Sequence, residues 1–346
     1  MNIKAIKTGV AKAIIVILLS LIFPVFESFA GINEGKYRVA LFPFDNFSED
    51  KRALDIVMPE MKKMLEEKGL EVLYEEILNA FLLKERVRST GYISKELAAK
   101  ATEELKVDSI MVGSINTFLI NDNPIFGISA RLINATDNMI LWAEHASATG
   151  EDFTTIFGLG TIKNIEELSV KVIKKMFDSF STSPPVKEKE ATFKIAVMPF
   201  QNKSKIKDAG MIVTNMFIVE LLKSEKFEPL EYGDVQKLIV DRRVKDKGEI
   251  DYTNIDAIAD NLGVDGIILG TVENYQESQG NNPPESIISI RLINARNKKI
   301  LWSETMHCTG GDDILILDFG KVRSAENIAY KTVWKLVNKM GKIKWR

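Results

Sequence analysis

The chain contains nearly the same sentence twice. RLINATDNMILWAE begins at Arg131 and RLINARNKKILWSE at Arg291. Two further pairs keep the same order at nearly the same spacing: RVALFPFDNFS (residues 38–48) with KIAVMPFQNKS (194–204), and VDSIMVGSI (107–115) with VDGIILGTV (264–272). Three segments in register mark a duplicated domain, and two copies of this length are too few and too long for a solenoid. Whatever one copy folds into, the other should fold into as well.

Each copy reads as an α/β unit. Residues 39–44 are a short apolar run closed by a Pro-containing turn, as expected of a buried strand. Leu54, Val57, Met58, Met61 and Leu65 then fall on one helical stripe. Residues 71–74 read as a second strand, and 75–87 and 94–105 as helices. Three strands follow over 109–118, 126–134 and 139–147, the last two joined as a hairpin across ATDN (ARNK in the second copy). A long amphipathic helix closes the unit, with Ile328, Ala329, Val333, Leu336, Val337 and Met340 as its buried stripe in copy two. The order β-α-β-α-α-β-β-β-α predicts a mixed β-sheet packed with helices, in two tandem repeats.

The copies are expected over 36–180 and 193–341. Paired prolines and alternating charge mark 181–192 as a linker, and 342–346 form a basic tail whose default is a frayed, solvated end. Ahead of the repeats, Lys4, Lys7 and Lys12 precede an apolar run at 13–23, and Ser28-Phe29-Ala30 places small residues before a cut between Ala30 and Gly31. This predicts a cleaved signal peptide and a periplasmic protein, associated at most peripherally with a membrane. The sole cysteine, Cys308, can form no intrachain disulfide.

With 27% charged residues and a net charge of −2, the chain lacks the basic excess of a nucleic-acid binder. Chemistry-bearing constellations are also missing. His145 and His307 do not align between copies, and His307 and Cys308 point to opposite faces of a strand. FGLGTIKN (157–164) contains G-x-G but reads as a helix entry rather than a dinucleotide site. No catalytic residue, metal or cofactor is expected. Asn46/Asn202 and Ser48/Ser204 should bond local backbone and hold the strand-to-helix turn. Arg131 and Arg291 are read as solvated arginines on an exposed sheet face, or as paired with a neighbouring carboxylate, and Trp142 and Trp302 as packing residues.

One difference between the copies points to an interface. Where the first helix of copy one has Glu60, Lys62, Lys63 and Glu66, copy two has Met216, Ile218, Val219 and Leu222. A helix apolar nearly all round is covered on more than one side. Domain one, a second subunit or a partner protein is expected to cover it, and a homo-oligomer through this helix is the most concrete assembly.

The motifs VAxxPFxNxS, VDxIxxGxI and RLINAxxxxILW resemble the domain of the curli secretion component CsgG. They are also similar to the TolB N-terminal-like fold shared with periplasmic accessory proteins such as LpoB and FlgT. The resemblance covers both copies and implies work in envelope assembly or secretion by contact with envelope or outer-membrane assembly proteins, without a catalytic centre. The alternatives it leaves are an LpoB-like regulator of a cell-wall synthesis enzyme and a periplasmic small-molecule binder or enzyme using the sheet crevice. The chain departs from CsgG in having Gly31, not cysteine, at the expected mature start. The connections at 116–124, 273–286, 149–162 and 309–322 are also too short for pore-forming hairpins.

Overall fold

A computed structural model describes residues 36–155, 159–184, 192–224, 226–241, 255–280, 282–313 and 321–345. The expected signal segment with Ala30 and Gly31, most of the linker and Arg346 lie outside the described residues. The chain divides into Met1–Tyr37, of which Lys36 and Tyr37 are described, and Arg38–Arg346, a single compact unit holding both repeats.

In the first repeat the order is β1 (Arg38–Leu41), β2 (Asp45–Asn46), α1 (Ala53–Glu67), β3 (Glu71–Val72), α2 (Glu75–Lys84), α3 (Lys95–Leu105), β4 (Ser109–Leu119), β5 (Ile125–Asn134), β6 (Ile140–Thr149) and α4 (Ile165–Met176). The second repeats it: β7 (Phe193–Val197), β8 (Gln201–Asn202), α5 (Ala209–Lys223), β9 (Phe227–Pro229), α6 (Tyr232–Asp241), α7 (Ile255–Leu262), β10 (Gly266–Gln276), β11 (Glu285–Asn294), β12 (Ile300–Thr309) and α8 (Ala325–Met340). The predicted order holds in both halves. The extra two-residue strands β2 and β8 add one short parallel pairing each, to β4 and β10.

Each sheet is mixed. The first runs β3-β1-β4-β5-β6 and the second β9-β7-β10-β11-β12. Pairing is parallel on the β1 and β7 side and antiparallel through the two long hairpins. The hairpin turns close through Asn138 and Lys298, both in the left-handed region at φ 65° and 62°. Asparagine tolerates that region better than lysine does.

Local chemistry explains the helix boundaries. Asn46 Oδ1 accepts from Ser48 N at 3.0 Å while its amide donates to Asp50 O at 2.9 Å, and Asn202 makes the same pair of links to Ser204 and Ile206 at 2.9 and 2.6 Å. The strand-to-helix turn is therefore built by one asparagine in each copy. Ser94, Asn164 and Ser324 accept from backbone amides at the starts of α3, α4 and α8. Helix α4 also carries Glu166 and Glu167 in its first turn and Lys174 and Lys175 in its last, matching its dipole. Its cap is Asn164, with Gly160 at φ +92° upstream; the preceding 156–158 lie outside the described residues.

In each half the first and last helices pack together on one sheet face: α1 with α4, and α5 with α8. On α1, Val57, Met61 and Leu65 are fully buried, Leu54 and Met58 half-buried, and Ala53 and Met64 extend the stripe. On α8 all six predicted stripe residues are buried. The halves then stack head to tail. Helix α5 lies between its own sheet and the opposite face of the first sheet, touching β5 and β6 there. Every residue from Ile212 to Leu222 is consequently buried, Met216, Ile218, Val219 and Leu222 among them. The cover for this helix is the first repeat, within the same chain.

The tail departs from its expected frayed state. Trp345 stacks on Phe193 with ring centroids 4.2 Å apart and also reaches Phe227, covering the edge of the second sheet. Among the described residues no helix is long and apolar enough to cross a membrane. The described parts of the connections at 116–124 and 273–286 contain no membrane hairpin: β4 ends at Leu119 and β5 begins at Ile125.

Candidate functional site: a buried polar seam between the repeats

Strand alternation puts Gly127, Ser129 and Arg131 on the face of β5 that looks at the second repeat. Arg131 is fully buried and paired with a carboxylate, so of its two readings the solvated one is corrected and the paired one holds. Its Nε donates to Glu231 Oε2 at 2.8 Å, Nη2 donates to Glu231 Oε1 at 3.0 Å and to the Gly91 carbonyl at 3.0 Å, and Nη1 donates to Asn215 Oδ1 at 3.0 Å. Both side chains of the Arg131–Glu231 pair are fully excluded from solvent. A buried charge is tolerated only when paired and saturated with hydrogen bonds, and here a bidentate fork supplies both. The strand pattern gave the face of Arg131 correctly; it could not tell that the face is covered.

From Arg131 the hydrogen bonds run on without a break. Asn215 Nδ2 donates to Ser114 Oγ at 3.1 Å, Ser114 Oγ donates to Asn116 Oδ1 at 2.7 Å, and Asn116 Nδ2 donates to Ser129 Oγ at 3.0 Å and to Glu326 Oε1 at 2.9 Å. Ser129 Oγ lies 3.0 Å from His145 Nδ1. The seam therefore joins β4, β5 and β6 of one repeat to α5, the start of α6 and α8 of the other. A second row lies beside it: Lys223 bridges Glu144 and the Tyr330 hydroxyl, and Tyr330 donates to Glu220.

Burial sets the charge states. Desolvation pushes Glu326 up to about 7, with the bonds from Thr117 and Asn116 pulling the other way. Desolvation pulls His145 down to about 3, helped by the Lys223 charge. His145 is thus neutral near pH 7, and its 3.8 Å approach to Glu326 is a contact with a neutral ring rather than an ion pair. Glu326 Oε2 and His145 Nε2 are buried without hydrogen-bond partners, which fits a carboxyl held protonated much of the time. Glu220 is likewise raised by burial, and Tyr330 is raised by burial and by Glu220.

Backbone fit accompanies the polar fit. A Cβ on Gly127 would strike the Glu326 carboxylate, and one on Gly233 would strike the backbone of Ile93 in the other repeat. Both glycines let the halves approach more closely than any side chain allows.

The remaining residues singled out in the sequence are dispersed. Trp142 is buried against Phe177 and Phe180, with its indole N–H donating to Ser179 at 3.1 Å, whereas Trp302 is half-buried. Arg291 is exposed. His307 pairs with Glu285 at 2.6 Å on the surface, far from the seam in sequence and on the other sheet. Cys308 is buried and free. Among the described residues no three His, Cys, Asp or Glu side chains converge as metal ligands. A cleft of about 490 Å³ opens over Glu144, His145 and Tyr330, walled by Asp152, Phe153 and Lys175.

Sequence reasoning missed Glu231, Asn215, Asn116 and Glu326. A signal existed: at the aligned positions copy one has Tyr74 and Pro59 in place of Glu231 and Asn215, whereas Glu326 is matched by Glu166. The side-chain acceptors for Arg131 appear only in the copy whose first helix is apolar all round.

Comparison with known proteins gives this arrangement a context. The family described as "Peptidoglycan-synthase activator LpoB" matches residues 169–307, from within α4 through most of the second repeat. The match falls on the LpoB side of the resemblance drawn from the motifs. Among solved structures, the PelC dodecamer from Paraburkholderia phytofirmans is 17% identical, covering 45% of this chain and 92% of that one at a TM-score of 0.30. The LpoB C-terminal domain from Escherichia coli is 13% identical, covering 40% of this chain and 93% of that one at a TM-score of 0.27. A polyribonucleotide nucleotidyltransferase from Helicobacter pylori is 24% identical over 140 residues, 38% of this chain and 20% of that enzyme. The chain thus spans about a fifth of the length of that relative.

Proposed function

We propose that the protein is a non-catalytic docking protein of the cell envelope that regulates a peptidoglycan synthase by direct contact. The observation that carries this reading is the match of the LpoB activator family to residues 169–307. The construction supports it: the polar groups that could have done chemistry are spent in holding two rigid sheets in one register, and what remains outside is surface. The export signal read at 1–30, with cleavage between Ala30 and Gly31, would deliver the chain to the compartment where such synthases polymerise glycan. Residues 36–180 and 193–341 would act as one body rather than as two hinged domains.

The test is reconstitution. The chain from Gly31 onward is added to purified peptidoglycan synthases of the same envelope, and binding and glycan polymerisation are followed. A complex with one synthase and a higher polymerisation rate are expected. Absence of binding and of any rate change across the set would overturn the proposal. A second reading, contact with an appendage-secretion complex of the CsgG kind, rests on the motifs at 38–48 and 107–115; co-purification with outer-membrane secretion components instead of a synthase would favour it.

A further inference from the structure

Strand β6 is the last of the first sheet, so one of its sides has no neighbouring strand. In an antiparallel ladder alternate residues turn their N–H and C=O groups away from the paired strand. On β6 the His145 N–H donates to Glu144 Oε1 at 3.1 Å and the Thr149 N–H to Asp152 Oδ2 at 2.7 Å, so both point away from β5. The register between them is unbroken, which turns Ser147 to the same open side. The Ser147 N–H has no acceptor among the described residues, and its Oγ is buried without a hydrogen-bond partner.

That open side is the floor of the cleft of about 490 Å³ described above. Strand alternation sends Ala146 and Ala148 toward α4, where Phe153, Val172 and Met176 make an apolar wall. It sends His145 and Ser147 toward α8, where Asn327 and Tyr330 make a polar one. One wall comes from each repeat, so the cleft is a product of their stacking. Its carboxylates are spent, Glu144 on Lys223 and Asp152 on Arg323, whereas Lys175 has no ion-pair partner among the described residues. At the matching strand of the second repeat, β12, Met306 and Cys308 replace Ala146 and Ala148. The room beside β6 is made by two small side chains.

We propose that the open edge of β6 takes an extended segment of a partner protein as an added strand, apolar toward α4, polar toward α8, and ending its apolar row in an acidic residue facing Lys175. The inference rests on the docking role proposed above and supplies one contact of it. Backbone bonds to Ser147 would hold the segment and the two walls would select its alternate side chains. Residues 144–148 span about 13 Å of strand, room for about five extended residues. Glu144 and Asp152 close the outward N–H groups on either side of Ser147. So short an opening suits a peptide segment and not the ten-residue edge strand β12 of a second copy.

The test uses the chain from Gly31 onward and two capped peptides, Val-Thr-Val-Thr-Glu and its reverse order, since the strand direction is left open. At about 1 mM one of them should bind and slow hydrogen exchange at the Ser147 amide. Binding should fall at least about tenfold with Ala146→Met, which copies β12, with Ser147→Pro, which removes the outward N–H, and with the peptide N-methylated at alternate amides. Lys175→Glu should weaken it, and a peptide with Lys in place of Glu should restore it. Ser147→Pro spares the β5 ladder; if its melting temperature drops, Ala146→Met and the methylated peptide decide. No binding by either peptide, binding indifferent to Ala146→Met and to methylation, or protection of Ser147 that rises with protein concentration alone would overturn the inference. Reconstitution with a synthase would then still stand as a docking role through another surface; failure of both would remove both.

Discussion

Arg131 on β5 and Glu231 at the start of α6 meet 2.8 Å apart although 100 residues separate them in sequence, and neither side chain touches solvent. One is in each repeat, so the pair commits the two halves to one another. It also comes with an internal control, because Arg291 is followed by the same Leu-Ile-Asn-Ala and lies exposed.

Arg131→Met should leave Glu231 buried and unpaired and cost about 3–5 kcal/mol of unfolding free energy. Arg291→Met should cost within about 0.5 kcal/mol, as exposed sites do. The double change Arg131→Met with Glu231→Leu should recover much of the loss, since apolar replacements remove the desolvation cost of both charges. Urea titrations of the three variants check the order.

Glu326 binds its proton more tightly folded than unfolded. Its contribution is therefore fully present below about pH 4.5 and is lost as pH rises through about 7. His145 works in the opposite sense: its stabilisation is present above about 6.5 and lost as pH falls toward about 3. Glu326→Gln should accordingly gain on the wild type as pH rises from 4.5 to 8, by up to about 3 kcal/mol, while His145→Gln should gain on it as pH falls below 6.5. Melting temperatures measured across that range separate the two.

Gly233→Ala should destabilise by about 1–3 kcal/mol, because the obstacle is the Ile93 backbone and not a movable side chain. The aligned residue in the first repeat, Glu76, is exposed, so Glu76→Ala should be near neutral. Hydrogen exchange at the Ile93 amide, which donates to Glu231, reports whether the seam itself has loosened.

Trp345→Ala should uncover Phe193 and Phe227 and lower stability by about 1–2 kcal/mol, less than a core tryptophan because Trp345 is half-buried. Thermal melting of the variant checks it; an unchanged midpoint would return the tail to its solvated description.

How much of this could be read beforehand depends on how local the signal is. The order of elements, the α8 stripe and the Asn46/Asn202 turns came from periodicity and turn chemistry acting within a few residues, and duplication allowed each reading to be checked against its twin. The apolar α5 announced that it had a cover, but whether that cover was the same chain is a question of tertiary arrangement. Arg131 shows the limit most sharply: a strand pattern assigns a face, while burial of that face depends on groups in α5 and α6 that no pattern in β5 encodes. Trp345 was missed for a related reason. A single aromatic past the end of a helix has no period, and only the bare edge at Phe193 gives it a place to rest.

The opposite characters of the two surfaces that meet in the seam bear on how the molecule comes into being. The earlier-made surface is dotted with hydroxyls, an amide and an imidazole, and can wait in water. The later-made one, α5, is greasy on both sides from Ile212 to Leu222 and would adhere to anything at hand. Synthesis from the amino end puts the patient surface out first, so the sticky helix emerges to find its berth already waiting.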